Sequence, residues 1–324
     1  MTTRGFVLGK FMPPHAGHVS LCEAAAAMVD ELTILVCWLP GDPIPGEQRL
    51  AWMRELFPRA RVIGHSENVP QYPEESADFW AIWAEIVRRH HPEPINMVFA
   101  GEEYGAQLAE RVGGLFVPLG GRIAGADHDG PGGVSGTAVR SDPAANWRWL
   151  PAPVRRDMVK VVSLHGIEST GKSTLAAALA GELGTTWVPE YGRSHCEIHG
   201  TDLAPRDLET IAAAQQAMIA AASPWSGPVL ISDTDWLMTR AWHEMMIGRP
   251  MAGPGFPLAD LYLLLAPDQP WIDDGLRIYG ADGERARFHD LCVAELQSAG
   301  ANFVTIAGSW DERRAAALAA IGAL

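Results

Sequence analysis

Near the middle of the chain stands the run His165-Gly166-Ile167-Glu168-Ser169-Thr170-Gly171-Lys172-Ser173-Thr174, which leaves little choice of fold. Gly166, Gly171, Lys172 and Ser173 fill the fixed places of G-x-x-x-x-G-K-[ST]. The β-rich segment Val159-Lys160-Val161-Val162-Ser163-Leu164 leads into the run, and Leu175, Leu179 and Leu183 recur behind it at helical spacing. Strand, glycine loop and helix in that order predict a parallel α/β unit whose loop wraps a polyphosphate. Glycines let backbone N–H groups converge on phosphate oxygens, and the helix start adds positive field. Lys172 reaches the outer phosphates and the Ser173 hydroxyl meets Mg²⁺. The expected ligand is a nucleoside polyphosphate, with Gly166, Glu168, Ser169, Thr170, Gly171, Ser173 and Thr174 around it.

Everything upstream of that unit needs a core of its own. A 324-residue chain has room for two domains, placed here at 1–155 and 156–324. The net charge of −14 argues against broad electrostatic binding to nucleic acid or anionic membrane. Cys22, Cys37, Cys196 and Cys292 lack C-x-x-C or metal spacing and read as reduced thiols. No apolar run reaches the length of a membrane span and no signal-peptide core opens the chain. The expected address is the cytoplasm and the expected partners are small molecules.

The first domain begins with a strand, Gly5-Phe6-Val7-Leu8-Gly9, followed by Lys10-Phe11-Met12-Pro13-Pro14-His15-Ala16-Gly17-His18 and an alanine-rich helix over 19–29. Two histidines three apart at the mouth of a helix can face one bound anion, and Gly17 between them permits close backbone approach. A zinc site is the other use of such a pair, but no third ligand follows at suitable spacing. Farther on, Val134-Ser135-Gly136-Thr137-Ala138-Val139-Arg140 reads as a second helix start. Ser135 and Thr137 supply hydroxyls there, and Arg140 a guanidinium fork for triphosphate oxygens. Between the two motifs strands are expected at 33–38, 61–64 and 95–100 and helices at 48–57 and 76–91, the alternation of a doubly wound sheet. On the last helix Phe79, Ile82, Trp83, Ile86 and Val87 make the buried stripe, leaving Trp80 at its edge to stack on a planar ring. Gly101-Glu102-Glu103-Tyr104-Gly105 forms an acidic strand-end turn. The Gly-rich stretch 118–136 is expected to close over substrate, with Asp127-His128-Asp129 a solvated turn rather than a metal site. A short helix at 142–150, broken by Pro151-Ala152-Pro153, then leads to the domain join.

In the second domain a strand at 185–189 ends in Glu190-Tyr191-Gly192-Arg193, and a long helix covers 204–222. Val229-Leu230-Ile231-Ser232-Asp233-Thr234-Asp235 is a buried strand closing on two carboxylates, of which Asp233 or Asp235 holds Mg²⁺. Glu190 accepts hydrogen bonds from ribose hydroxyls or a proton from the attacking one. After a strand at 261–266, Pro270-Trp271-Ile272-Asp273-Asp274-Gly275-Leu276-Arg277 reads as a lid, with Arg277 stabilising charge on a transferring phosphoryl group. Arg285 and Arg287 read as solvated on the helix over 284–299.

The G-K-F-x-P-x-H-x-G-H string and the Ser135–Arg140 segment resemble the two signatures of the H-x-G-H nucleotidyltransferases, with valine for isoleucine at residue 134 as a mild departure. Joined to the phosphate loop, to Tyr72-Pro73 with Trp80 and Trp83, and to Glu190–Arg193, Asp233–Asp235 and Pro270–Arg277, the whole chain resembles the bifunctional NadR family. The resemblance implies a Rossmann-like nucleotidyltransferase fold followed by a P-loop kinase fold, both with mainly parallel sheets. It implies ribosylnicotinamide phosphorylation in the second domain, and in the first adenylyl transfer from ATP to nicotinamide mononucleotide, yielding NAD and pyrophosphate. Lys10, His15, His18 and Arg140 would carry the adenylyl transfer, with Gly9, Phe11, Gly17, Ser135 and Thr137 at its nucleotide and Trp80 at its acceptor. Lys172, Glu190, Asp233 and Arg277 would carry the phosphorylation, with Tyr191, Arg193 and Asp235 at the acceptor and Ser173 and Asp233 on Mg²⁺. Self-association is also implied. Some members bear a DNA-binding helix-turn-helix at the N-terminus, for which a first strand at residue 5 leaves no room. A coenzyme A synthase couples similar halves, and a non-catalytic nucleotide sensor would keep both pockets; these are the competing readings.

Overall fold

The computed structural model describes residues 2–101, 104–119, 134–252, 255–272, 275 and 277–324. It divides into two compact units, Met1–Val154 and Arg155–Leu324, each built on a five-stranded parallel sheet.

The first unit runs β1 (Arg4–Gly9), α1 (Ala16–Met28), β2 (Glu31–Cys37), α2 (Gly46–Leu56), β3 (Arg61–His65), α3 (Phe79–His90), β4 (Met97–Ala100), α4 (Tyr104–Val112), β5 (Leu115–Pro118) and α5 (Gly136–Ser141). Its strand order is β3-β2-β1-β4-β5. Alternation along the central strands supplies two cores. Val7, Ile34 and Val36 face α1 and α2, meeting Cys22, Leu50 and Met53, while Phe6, Leu35 and Cys37 face Phe79, Trp83 and Ile86 of α3 and Leu108 of α4. β1 lies mid-sheet where the order reverses, so the loop after it opens at the carboxyl edge used by ligands in such sheets.

The second unit runs α6 (Ala152–Met158), β6 (Lys160–His165), α7 (Lys172–Leu183), β7 (Trp187–Val188), α8 (Tyr191–His199), α9 (Pro205–Ala222), β8 (Val229–Ser232), α10 (Trp236–Ile247), β9 (Leu261–Leu265), α11 (Asp282–Ser298), β10 (Phe303–Ile306) and α12 (Trp310–Ile321). Strand order β10-β9-β6-β8-β7 sets β6 and its loop at the centre. Glu190 after β7 and Asp233 after β8 then fall on one side of the loop, and the segments after β9 and β10 on the other. Val162, Leu164, Leu263 and Leu265 pack on Leu175 and Leu179 of α7 and Ala317 of α12. Tyr262 and Leu264 pack oppositely on Leu237 and Ala241 of α10 and Phe288 of α11.

The join differs from expectation. Residues 142–150 hold only a single 3₁₀ turn, Trp147–Trp149, and the proline pair opens α6 rather than breaking a helix. Pro153 sits in the first turn, where its missing N–H has no intrahelical acceptor to lose. Among the described residues no helix is long and apolar enough to cross a membrane.

Candidate active sites

In the first unit the loop after β1 is folded tightly against two helix starts. Phe11 takes φ +46 and is buried. His15 caps α1, its Nδ1 accepting the Gly17 N–H at 3.2 Å, which leaves Nε2 as the donor of the neutral ring. His18, one turn in, lies 3.8 Å from His15 between ring centroids and edge-on to Phe11 at 5.0 Å. Burial lowers His15 to about 4 and His18 to about 3, with His15 adding to the latter. Both are therefore neutral imidazoles, and His18 Nδ1 is buried without a hydrogen-bond partner among the described residues. Such a group is suited to meet an anion arriving at the helix N-terminus.

Arg140 closes the other side. Its Nη1 donates to Met12 O at 2.5 Å and Nη2 to Thr137 Oγ1 at 3.2 Å, while Ser135 caps α5 by accepting the Ala138 N–H at 3.1 Å. Gly136 is needed for this approach, since a Cβ there would meet Met12 O at 2.9 Å. Arg140, Ser135 and Thr137 are thus brought to the Lys10–His18 loop across a large sequence separation. Arg49, absent from the sequence reasoning, completes the frame. Fully buried, it donates to Lys10 O at 2.7 Å and pairs with Asp42 at 2.6 Å. An arginine in the middle of an amphipathic helix reads as solvated until the loop that covers it is known. Trp80 is half-buried, its ring perpendicular to Phe79 at 4.8 Å. Glu102-Glu103 and Asp127-His128-Asp129 lie outside the described residues, as do Asp273, Asp274 and Leu276 of the expected lid.

In the second unit a cleft of about 390 Å³ opens beside the phosphate loop, a size suited to a small organic ligand. Lys172, Ser173, Thr174, Glu190, Arg193, Asp233 and Arg277 line it, together with Trp187, Gln215 and Trp242. Gly171 caps α7 at φ +86 with the Trp310 ring so close that a Cβ would come within 2.1 Å of it; only glycine fits. Lys172 Nζ donates to Gly166 O at 2.8 Å and Ile167 O at 3.1 Å, holding the loop curled. Behind the loop, the fully buried Arg313 donates to Thr170 O at 2.9 Å, Gly308 O at 2.9 Å and Ala266 O at 3.1 Å, and pairs with Asp268.

Two carboxyls meet at the cleft floor. Burial raises Glu190 to about 6; Lys172 pulls it down, while Asp233 pushes it up. Asp233 is also raised by burial, against the pull of Lys172 and a hydrogen bond from Ser173. Its Oδ1 is buried with no hydrogen-bond partner among the described residues. An unsatisfied carboxylate oxygen beside a loop hydroxyl fits a hard cation that takes few protein ligands and keeps water and phosphate oxygens. Among the described residues no group of three or more His, Cys, Asp or Glu could hold a metal by itself. Gln215, also unanticipated, orders this floor: its Oε1 accepts the Tyr191 N–H at 2.8 Å and its Nε2 donates to Pro189 O at 3.2 Å. The turn bearing Asp233 is strained, with Thr234 at φ +91, and the Ser232 hydroxyl pins it through Thr234 O at 2.6 Å.

Several expected residues face elsewhere. Asp235 does not reach the cleft: Oδ1 accepts the Leu237 N–H at 3.0 Å to cap α10, and Oδ2 accepts the Tyr262 hydroxyl at 2.6 Å. Strand alternation would set Asp233 and Asp235 on one face; the positive φ of Thr234 between them breaks it and turns the two carboxylates apart. Thr170 donates inward to Ile167 O at 2.8 Å, and Tyr191 turns its ring toward His195, 6.1 Å away. Arg285 is buried, not solvated, and donates to Glu168 O at 3.4 Å; Arg287 is exposed. Arg277 lines the cleft but donates to Ser169 Oγ at 2.6 Å and to Ile272 O.

Both geometries have counterparts among known proteins. Residues 6–140 match the cytidylyltransferase-like family and residues 161–313 an AAA domain. The trifunctional NAD biosynthesis/regulator protein NadR of Escherichia coli (strain K12) is 30% identical over 335 residues, covering 94% of this chain and 78% of that protein. The chain belongs to the NadR family. A nicotinamide-nucleotide adenylyltransferase of Caldivirga maquilingensis is 27% identical over 115 residues, 34% of this chain and 63% of its own length. The crystal structure of a NadR protein in complex with NR superposes with a TM-score of 0.70 at 22% identity, covering 99% of this chain and 95% of that one. The NadR-type pairing of two parallel α/β folds therefore extends through both units described above.

Proposed function

We propose that the chain makes NAD in two ATP-dependent steps, one in each unit. The second unit phosphorylates ribosylnicotinamide and the first transfers an adenylyl group from ATP to the resulting mononucleotide. The observation that carries this is the presence of two unlike polyphosphate sites: a neutral His15–His18 pair framed by Arg140, and a curled glycine loop facing Glu190 and Asp233.

In the second unit the 5′-hydroxyl of ribosylnicotinamide attacks the γ-phosphorus of ATP. The O–P bond forms as the bond to the β-phosphate oxygen breaks, ADP leaves, and Glu190 takes the hydroxyl proton. Lys172 and the loop N–H groups hold the phosphates, Arg193 and Arg277 add positive charge at the cleft, and Trp242 offers an aromatic wall to the cationic pyridinium ring. Ser173 and Asp233 would hold Mg²⁺, which when bound neutralises phosphate charge. In the first unit the mononucleotide phosphate attacks the α-phosphorus of ATP and pyrophosphate leaves. Lys10, His15, His18 and Arg140 stabilise the triphosphate, and Trp80 is the candidate platform for the acceptor ring. Both steps rest on positioning and preorganised charge rather than on a covalent intermediate.

The net charge of −14 favours small-molecule partners over nucleic acid, and the resemblance favours self-association and a cytoplasmic address; light scattering reports the first of these last two. The decisive experiment separates the sites. His18→Ala is expected to lower NAD formation from nicotinamide mononucleotide by about 10²–10³-fold while sparing phosphorylation of ribosylnicotinamide. Lys172→Ala is expected to do the reverse. A folded variant that lost both activities would refute the assignment of one step to each site.

A further inference from the structure

An acidic side chain is a poor choice for a loop that must receive a polyanion, yet Glu168 sits inside the phosphate loop. Its carboxylate is turned across the cleft. Oε1 accepts the Ile278 N–H at 3.1 Å, and Oε2 accepts the Ile278 N–H at 3.3 Å and the Tyr279 N–H at 3.1 Å. The neighbouring Ser169, held at φ +59, makes the same crossing: its Oγ accepts from Ile272 N at 3.1 Å and from Arg277 at 2.6 Å. Tyr279 belongs to an aromatic cluster. The Tyr279 ring lies 5.9 Å from Trp242 at 32°, and both pack on Phe288, at 5.9 and 4.5 Å. Trp242 and Ile278 line the cleft alongside Glu168. One carboxylate therefore connects the backbone that receives the nucleotide to the wall that receives the acceptor.

We propose that Glu168 is a positioning residue that couples the two substrate subsites of the second unit, so that nucleotide in the loop and a flat aromatic acceptor in the cleft strengthen each other's binding. The inference rests on the kinase reading of that unit. A carboxylate suits the task because its two oxygens accept both N–H groups at once, whereas a glutamine offers one acceptor and an NH₂ that opposes the second N–H. Its negative charge works against the incoming triphosphate. The two effects have opposite signs, which makes them separable, and the coupling must be reciprocal at equilibrium.

The test uses the full chain as wild type, Glu168→Gln and Glu168→Asp, with Mg-ATP and ribosylnicotinamide. In E168Q the KM for ribosylnicotinamide should rise about 5- to 20-fold, while the KM for ATP stays level or falls because a negative charge has left the loop. In E168D the charge remains but the arm is one methylene shorter, so the acceptor KM rises and the ATP KM holds. Tryptophan fluorescence gives the equilibrium counterpart. A non-hydrolysable ATP analogue should tighten ribosylnicotinamide binding in wild type, and that tightening should vanish in both variants. An unchanged acceptor KM, a parallel rise of both KM values, or tightening that persists in the variants would overturn the proposal. A wild-type chain that fails to phosphorylate ribosylnicotinamide would sink the kinase reading itself, and that result precedes any variant. NAD formation from nicotinamide mononucleotide, measured on the same preparations, shows whether the rest of the chain is intact.

Discussion

Glu190 titrates where an assay can see it. Burial and the neighbouring Asp233 lift its carboxyl to about 6 even though Lys172 and Arg193 oppose them. It stands at the N-cap of α8 without accepting a cap hydrogen bond and lines the cleft. A base with that pKa is about nine-tenths ionised at pH 7 and about one-tenth ionised at pH 5. The kcat/KM for ribosylnicotinamide should accordingly be nearly flat above pH 7 and fall about tenfold per unit below pH 6. Replacing Glu190 with Gln should remove the acid limb and lower the plateau by about 10²–10⁴-fold, equivalent to about 3–5 kcal/mol of barrier. A coupled assay for ADP across pH 5–9, with the substrate in its first-order range, measures both. The sign of a second effect follows from the same charges. Lys172 holds the Glu190 pKa down, so Lys172→Ala should move the limb of its residual activity to higher pH. A Glu190→Gln variant that kept the limb and most of the rate would show that the proton goes elsewhere, with Asp233 the next acceptor.

Two further outcomes concern the frame around the second site. Arg313→Met removes a fully buried guanidinium, leaves the Thr170 and Ala266 carbonyls without that donor and leaves Gly308 O to Gln269 Nε2 alone. The second unit should lose about 3 kcal/mol and bind ATP more weakly, seen by calorimetry and by a raised KM, with NAD formation from the mononucleotide unaffected. Asp235 is raised by burial to about 6, above its unfolded value, so the fold binds a proton more tightly than the unfolded chain does. Stability linked to it is therefore full below about pH 4 and declines as pH rises to about 6, beyond which it levels. Tyr262→Phe deletes a donor that holds this carboxyl down, which extends the decline upward. Urea midpoints of wild type and variant should differ more at pH 8 than at pH 4.5, and equal gaps at both would refute the linkage.

What could be read from sequence followed the strength of local patterning. The glycine loop and the H-x-G-H string each carry backbone requirements that few folds satisfy, and the amphipathic stripe of α3 is periodic enough to place Phe79, Trp83, Ile86 and Val87 in the core. Edge elements were harder. β5 and β10 have four residues each and, as edge strands, carry exposed positions that dilute an apolar run. α12 is alanine-rich and shows little separation of faces. Arg49 and Arg313 illustrate a different limit, because a buried arginine is recognisable only once the carbonyls that enclose it, from segments distant in sequence, are in place. The same holds for Asp235. Two carboxylates at the end of a strand look equivalent in one dimension, and only the Tyr262 hydroxyl from β9 shows that one of them belongs to the core.

Among the described residues the two sites differ in their acids and bases, and the difference matches what each acceptor must do. A mononucleotide phosphate is already an anion when it attacks, so no proton need be removed. The first site accordingly assembles donors and cations around its loop: Lys10, the Nε2 of His15, His18 and Arg140. Burial keeps the histidines neutral until a polyphosphate supplies the charge that would favour their protonation. A ribose hydroxyl is neutral and must lose its proton during attack, which requires an acceptor, and the second site holds carboxyls at the ends of two neighbouring strands. Omitting such carboxyls from the second site would leave the hydroxyl proton with no protein acceptor. One polypeptide can therefore bind the same nucleotide twice and direct attack to different phosphorus atoms, because acceptor chemistry, rather than ATP recognition, decides which side chains each sheet presents at its carboxyl edge.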